Sequence, residues 1–174
     1  EGLVGEVKRV YDLSIDKVVI FPKIDESLKT RTGDEAFNPD GLIQEVIQRI
    51  KNASPDTCVV TDVALDPYSS DGHDGIVSDD GEVLNDETVA VLCEQALSHA
   101  RAGADIVAPS DMMDGRVGSI RAVLDQEGFS QTSIMSYTAK YASAFYGPFR
   151  GALDSAPKKS SDRPIPKDKS TYQM

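Results

Sequence analysis

The chain contains short, largely apolar runs that are typical of buried β-strands. Four such runs, rich in β-branched residues, cover positions 18–21, 58–63, 106–108 and 133–136. A strand that is covered on both faces of a parallel sheet does not need to alternate apolar and polar side chains. We therefore predict four strands, each buried on both faces.

Between these runs the apolar positions recur with the period of an α-helix. This pattern predicts helices over residues 2–13, 42–53, 85–103, 116–127 and about 141–153. In the third helix, Asn85 is expected to cap the amino end and Gly103 to terminate the carboxyl end. In the last helix, Pro148 is expected to disturb the regular backbone, because proline cannot donate a helical hydrogen bond.

Strands and helices alternate along the chain, which implies a parallel sheet joined by right-handed crossovers. A doubly wound sheet usually has about five or six strands, and a complete eight-stranded β/α barrel needs about 250 residues. We expect an α/β fold in which residues 1–174 form one domain, a partial TIM (β/α)8 barrel of about four β/α units. Residues 156–169 are rich in proline and basic side chains. They are predicted to form a loop that closes over the site as a lid.

The composition is that of an ordinary globular protein with an acidic surface. The 174 residues are 40% apolar and 27% charged, and the net charge is −11. This acidic excess, without a long cluster of Lys and Arg, argues against nucleic acid or an anionic membrane as a partner. Cys58 and Cys93 lie in apolar segments, where we expect buried thiols and a reducing compartment. Both ends of the sequence look cut.

A lysine is the first candidate for chemistry. Lys140 follows the fourth predicted strand and is surrounded in sequence by aromatic residues, among them Tyr137 and Tyr141. Partial loss of solvent would favour the free amine, which attacks carbonyl groups to form a Schiff base. The alternative is a surface lysine that opens the next helix and keeps its charge in water.

The loop after the second predicted strand is rich in carboxylates. Asp66 and Asp74, with Asp62 or Asp71 nearby, offer the oxygen ligands that Mg²⁺ prefers. Zinc would favour thiolates, and this loop contains none. The alternative is a turn-rich surface loop of an acidic protein. The single histidine of the loop, His73, is weaker as a ligand candidate, because loop histidines more often serve in hydrogen bonds.

Arg150 and the basic segment after it form the third candidate. The planar guanidinium of Arg150 could hold a substrate carboxylate through two hydrogen bonds. The basic residues from Lys158 to Lys169 could close over the bound substrate. The alternative is a helix-surface arginine followed by a solvated linker.

Three segments carry a specific resemblance to a known family. They are residues 108–117 (APSDMMDGRV), 135–143 (MSYTAKYAS) and 145–150 (FYGPFR). They resemble porphobilinogen synthase, also called 5-aminolaevulinate dehydratase, almost letter for letter. The resemblance implies an eight-stranded β/α barrel assembled as a homo-octamer. It also implies a lyase that condenses two molecules of 5-aminolaevulinate, with loss of water, into porphobilinogen for haem and chlorophyll synthesis.

The resemblance also implies roles for individual residues. Lys140 is similar to the lysine that forms a Schiff base with the substrate in the subsite called A, and Asp62 to the catalytic carboxylate near the substrate amino group. Arg150 is similar to the residue that grips the carboxylate in that subsite, helped by Lys169 and Gln173 from the lid region. The other substrate-binding residues implied are Ser110, Asp111, Tyr146 and Phe149.

The metal and the compartment follow from the same resemblance. Ala64, Asp66 and Asp74 occupy three positions that are cysteines in the zinc-dependent branch. This implies Mg²⁺, held by Asp66 and Asp74, rather than zinc. Residues 32–38 (TGDEAFN) are similar to plant and algal members, which implies a plastid enzyme, with a bacterial-type cytosol as the alternative.

Two departures from the family pattern limit what this chain is expected to do alone. The second Schiff-base lysine of the family, in a Met-Val-Lys-Pro context, has no counterpart before Met174. Residues 158–167 are also longer and richer in proline than the usual lid. We therefore expect the 174 residues by themselves to be inactive. Two other functions remain open: a Schiff-base aldolase on the same barrel, and a non-catalytic module for Mg²⁺ binding or oligomerisation.

Overall fold

The computed structural model describes residues 2–174, and its elements alternate as the sequence predicts. In chain order they are α1 (Gly2–Asp12), β1 (Lys17–Ile20), α2 (Leu42–Ala53), β2 (Cys58–Val63), β3 (Ile76–Val77), β4 (Val83–Leu84), α3 (Asn85–Ala102), β5 (Ile106–Pro109), α4 (Arg116–Gln126), β6 (Ser133–Ile134) and α5 (Gly147–Leu153). Short 3₁₀ turns cover Glu26–Leu28, Asp34–Phe37 and Ala144–Tyr146.

Four strands form one parallel sheet in the order β1-β2-β5-β6. The strands are neighbours in the order in which they occur along the chain, without the reversal that marks a doubly wound sheet. The predicted α/β class with a parallel sheet is therefore confirmed. The sheet is open at β1 and β6 over residues 2–174, so these residues do not form a closed barrel.

The central strand β2 is buried along almost its whole length. All of its residues except the first are buried, and Val59 and Val63 have no exposed surface. Val59 packs in a cluster with Ile47 of α2, whereas Val63 packs in a second cluster with Leu92 of α3. Val59 and Val63 are four residues apart and therefore point to the same face of the strand, which is covered by α2 near its start and by α3 near its end.

Two local predictions about helix ends were wrong. Asn85 does not cap α3, because Leu84 occupies the cap position and Asn85 lies inside the helix. The Asn85 side chain instead accepts a hydrogen bond from the Asp114 backbone N–H (2.7 Å) and donates one to the Asp114 carbonyl (3.2 Å). Pro148 lies in the first turn of α5 and so begins that helix instead of disturbing it.

The sequence pattern also missed a hairpin. The antiparallel pair β3 and β4 contributes only two residues on each side, too few to produce a periodic signal. The end of α3 was predicted correctly, since Gly103 adopts a left-handed conformation (φ 108°) that terminates the helix.

Cys58 and Cys93 are both free and only partly buried. Over residues 2–174 no helix is both long and apolar enough to pass through a lipid bilayer.

Candidate active site

Polar residues at the carboxyl ends of three neighbouring strands meet in one place. Asp62 of β2 lies opposite Ala108 of β5, and Ser110 lies two residues beyond Ala108, so both side chains point to the same face at this end of the sheet. The Ser110 backbone N–H continues the ladder by donating to the Val63 carbonyl (3.1 Å). Lys140 reaches the same edge from the segment after β6. This is the end of a parallel α/β sheet at which ligands bind.

The site contains a cavity of about 170 Å³ with two different walls. Aromatic and aliphatic side chains form one wall, and polar and charged side chains form the other. The lining residues are Phe21, Asp62, Asp66, Ser110, Tyr137, Lys140, Tyr146, Phe149 and Leu153. A small polar molecule with an apolar stem would match both walls.

Lys140 places its amine in the polar wall of the cavity. Its Nζ donates to the Ser110 carbonyl (2.7 Å) and lies 3.4 Å from Asp74 Oδ2. The side chain is only 12% exposed. The sequence-based alternative of a solvated surface lysine is therefore wrong.

Asp62 is a buried carboxyl group in the same wall. Burial raises its pKa to about 7, and a hydrogen bond from the Ser110 side chain only partly opposes this. Its Oδ1 has no hydrogen-bond partner. A carboxyl group that titrates near neutral pH and has a free oxygen is suited to exchange protons with a bound molecule.

At the polar wall of the cavity, two carboxylates share one ammonium group. Lys169 Nζ donates to Asp74 Oδ1 (2.6 Å) and to Asp66 Oδ2 (3.0 Å), with the Lys169 side chain only 4% exposed. The Gln173 amide also donates to Asp74, at 3.3 Å. Lys169 therefore faces carboxylates of this chain, where the resemblance implies that it faces the carboxylate of a substrate.

The proton affinities in this cluster follow from burial and charge. Burial would raise the pKa of Asp66, but the positive charges of Lys169 and Lys140 outweigh it, so its pKa lies below the ordinary value. The pKa of Asp74 is raised, mainly by burial and then by the neighbouring charge of Asp66. Asp66 therefore carries the negative charge of this cluster, next to the ammonium group of Lys169.

Asp66 and Asp74 are paired with an ammonium group in this arrangement. Each already contacts the Lys169 ammonium, which occupies the position of a cation between them. Over residues 2–174, no group of three or more His, Cys, Asp or Glu side chains is arranged to hold a metal ion. Magnesium at these two residues therefore stays a prediction.

The aromatic wall comes from the segment after Lys140. Tyr146 and Phe149 both line the cavity, and the Phe149 ring meets Phe21 edge to face at 5.2 Å. Arg150 does not line the cavity, because its guanidinium lies over the Tyr146 ring, 5.7 Å from the ring centre. A change of Arg150 rotamer would be needed for it to hold a ligand in the cavity.

Asp111 lies next to the site without facing it. Its side chain has no exposed surface, accepts a hydrogen bond from the Met113 backbone (2.8 Å) and lies 3.2 Å from Arg116 Nε. Burial raises its pKa to about 6. Asp111 shapes the turn after β5, in which Met112 has a positive φ of 72°.

The predicted lid, residues 156–169, contains no helix or strand and packs against the carboxylate loop. Arg163 forms an ion pair with Asp71 and donates to the Ser78 carbonyl (3.1 Å). The Lys158 backbone N–H donates to the Asp71 carbonyl at 2.9 Å. Sequence reasoning did not identify Arg163, because its partners lie 85 to 92 residues away along the chain.

Comparison with known proteins gives a consistent result. The family model for delta-aminolevulinic acid dehydratase matches residues 1–174. The chloroplastic delta-aminolevulinic acid dehydratase of Chlamydomonas reinhardtii is 65% identical over 175 residues, covering 100% of this chain and 45% of the relative. The chloroplastic enzyme of Pisum sativum is 61% identical over 173 residues, covering 99% of this chain and 42% of the relative.

A solved structure agrees with the sequence comparisons. The delta-aminolevulinic acid dehydratase of Toxoplasma gondii ME49, in complex with its reaction product porphobilinogen, superposes with a TM-score of 0.93 at 52% identity. The match covers 99% of this chain and 48% of that structure. The chain therefore spans less than half of the relatives it matches, and it belongs to the delta-aminolevulinic acid dehydratase family.

Proposed function

We propose that this chain supplies one of the two imine-forming lysines of a porphobilinogen synthase, a lyase that joins two molecules of 5-aminolaevulinate with loss of water. Membership of the family supports this proposal, as does the likeness to the Toxoplasma gondii enzyme in complex with porphobilinogen. The single observation that carries it is the amine of Lys140 in the wall of a small, partly aromatic cavity.

The geometry supports imine formation as the step this chain performs. The Lys140 ammonium first gives up one proton, and its free amine then attacks the ketone carbon of 5-aminolaevulinate, so that a carbon–nitrogen bond forms. The former ketone oxygen takes up two protons and leaves as water, while the nitrogen loses its protons and forms the C=N bond. Asp62, whose pKa is about 7, is placed in the same wall to give and take protons during these steps.

The cavity has room for one small substrate at a time. Tyr146, Phe149 and the Ser110 side would surround it, and Asp111 would support the turn that carries Ser110. Arg150, Lys169 and Gln173 would form the carboxylate clamp after moving from the contacts described above. Such a rearrangement would exchange internal partners for substrate oxygens.

We assign the larger architecture in the same way. The open four-stranded sheet would be half of a (β/α)8 barrel, supported by its sequential strand order. Assembly as a homo-octamer rests on the family resemblance. A plastid location is supported by the printed names of the Pisum sativum and Chlamydomonas reinhardtii relatives, both chloroplastic.

Borohydride trapping tests this function. The protein is incubated with 5-aminolaevulinate, reduced with borohydride, digested and examined by mass spectrometry. We expect the reduced adduct on Lys140, and none on a Lys140→Met variant that keeps the fold. A second arm replaces 5-aminolaevulinate with pyruvate, a simple keto acid. Equal trapping of pyruvate would favour the aldolase alternative, and no adduct with either compound would refute the imine role of Lys140.

A further inference from the structure

His73 is fully buried beneath the lid, and each of its ring nitrogens contacts a residue from the end of the chain. Its Nε2 lies 2.8 Å from the Pro166 carbonyl, and its Nδ1 lies 3.0 Å from the Tyr172 hydroxyl. The rings of His73 and Tyr172 lie edge to face, at an angle of 68° and with centres 5.9 Å apart. His73 thus connects the carboxylate loop to two residues near the end of the chain.

The directions of these hydrogen bonds are fixed by the groups involved. The Asp74 backbone N–H donates to the Tyr172 hydroxyl oxygen at 3.1 Å. The Pro166 carbonyl can only accept, so Nε2–H of His73 donates to it, and Nδ1 of the neutral ring accepts from the Tyr172 O–H. One neutral tautomer of His73 satisfies every bond in this chain.

These hydrogen bonds connect Asp74 with the segment that carries its two donors, Lys169 and Gln173. Tyr172 is three residues after Lys169 and one before Gln173, both of which donate to Asp74. The same Tyr172 holds the Asp74 backbone, so the carboxylate and its donors are fixed to each other through the His73–Tyr172 pair.

The local sequence explains how His73 reaches this position. Gly72 has a positive φ of 73°, and a Cβ at this residue would collide with the backbone carbonyl of Ala156 at the start of the lid. Only glycine allows the loop to turn there and pass directly beneath the lid. Ala156 at the start of the lid and Pro166 near its end thus both lie against the Gly72–His73 segment.

We propose that His73 is a positioning residue: through Tyr172 and Pro166 it holds the lid, Lys169 and Asp74 in one arrangement. This inference rests on the proposed function for its kinetic consequence, but the hydrogen-bonded network itself is defined without any substrate. Loss of His73 should weaken substrate binding more than chemistry, because the strongest contact of the imine-forming Lys140 is with the Ser110 carbonyl (2.7 Å), and its contact with Asp74 is longer (3.4 Å).

The test compares four variants in the full-length protein. His73→Ala removes both bonds, His73→Asn keeps an acceptor near the Nδ1 position, and His73→Gln keeps a donor near the Nε2 position. His99→Gln is the matched control, because His99 is the other histidine of the chain, is equally buried and contacts Thr61 away from the lid.

Two readouts are measured: amide hydrogen exchange without substrate, and steady-state kinetics with 5-aminolaevulinate. In His73→Ala we expect protection of the Asp74 amide to fall about tenfold, and KM to rise about tenfold with a smaller change in kcat. His73→Asn should restore protection of the Asp74 amide, because Tyr172 regains its acceptor, whereas His73→Gln should not. His99→Gln should lower the melting temperature without changing either readout.

The proposal is overturned if His73→Ala leaves both Asp74 protection and KM unchanged, or if His99→Gln alters them equally. It is also overturned if His73→Gln restores Asp74 protection as well as His73→Asn does. If the unaltered protein traps no imine and forms no porphobilinogen, the proposed function fails, and the exchange measurements alone still decide the role of His73.

Discussion

Removing the ammonium of Lys169 should strongly destabilise the fold. In a Lys169→Met variant, Asp66 and Asp74 would remain buried without the cation that lies 3.0 and 2.6 Å from them. Breaking a buried ion pair by removing one partner costs about 3–5 kcal/mol, because the remaining charge is left without compensation. For a chain of this length, that loss corresponds to a fall in melting temperature of about 6 to 20 °C.

The dependence on pH gives this prediction its direction. The lowered pKa of Asp66 means that its stabilising contribution is present above the ordinary carboxyl pKa and is lost as the pH falls through the folded value. The raised pKa of Lys169 keeps its contribution intact up to strongly alkaline pH. In the variant, both carboxyl pKa values should rise, so protonation relieves the repulsion in mild acid. The destabilisation should therefore be largest at neutral pH and shrink towards about pH 5.

Thermal unfolding followed by circular dichroism between about pH 5 and 8 measures this effect. Lys159→Met is the matched control, because Lys159 is an exposed lysine of the same segment. Lys169→Arg keeps the positive charge and should recover part of the stability. A loss in Lys169→Met no larger than in Lys159→Met, or one that does not change with pH, would refute the assignment of Lys169 as the counter-ion of the two aspartates.

Three further predictions concern substrate, metal and the chain alone. Arg150→Lys in the full-length protein keeps the charge but loses the planar fork, so KM for 5-aminolaevulinate should rise about tenfold in steady-state assays; an unchanged KM would remove Arg150 from the clamp. After chelation, Mg²⁺ or Mn²⁺ should restore activity and Zn²⁺ should not, since Asp66 and Asp74 offer oxygen ligands. Replacing Ala64, Asp66 and Asp74 by cysteine should shift the preference towards zinc. Reactivation of the unaltered protein by zinc alone would contradict this. The 174 residues alone should form no porphobilinogen in a colorimetric pyrrole assay, because catalysis requires both substrates to be held together; turnover at an enzymatic rate would show that the second lysine is dispensable.

The main strands and helices could be predicted because their burial requires apolar side chains at regular positions in the sequence. The predicted bounds of β2 and α2 agree with the structure at both ends, since both elements are long and strongly patterned. The hairpin of β3 and β4 is too short to show such a pattern. The Asn85 error has a different cause: a tertiary contact with Asp114 won over the local preference of asparagine for a cap position.

The site was predictable where it depends on strand ends and unpredictable where it depends on distant partners. Asp62 lies at the carboxyl end of β2, Ser110 follows β5 and Lys140 lies beyond β6, so their convergence could be expected from topology. The contacts of Lys169 with Asp66 and Asp74 join residues 103 and 95 positions apart, and no spacing rule connects them. His73 was identified only as a hydrogen-bonding loop residue, because its partners come from the other end of the chain.

The long separation between Lys169 and its two carboxylates has a consequence for the order of folding. Contacts that close loops of about a hundred residues form slowly, because the chain entropy is lost before the contact stabilises anything. During synthesis from the amino end, β2 and β5 can pair while Lys169 is still inside the ribosome. Asp66 and Asp74 must stay hydrated until it emerges, since burying them without a cation is costly. We therefore expect the cluster of Asp66, Asp74 and Lys169 to form only after β2 and β5 have paired.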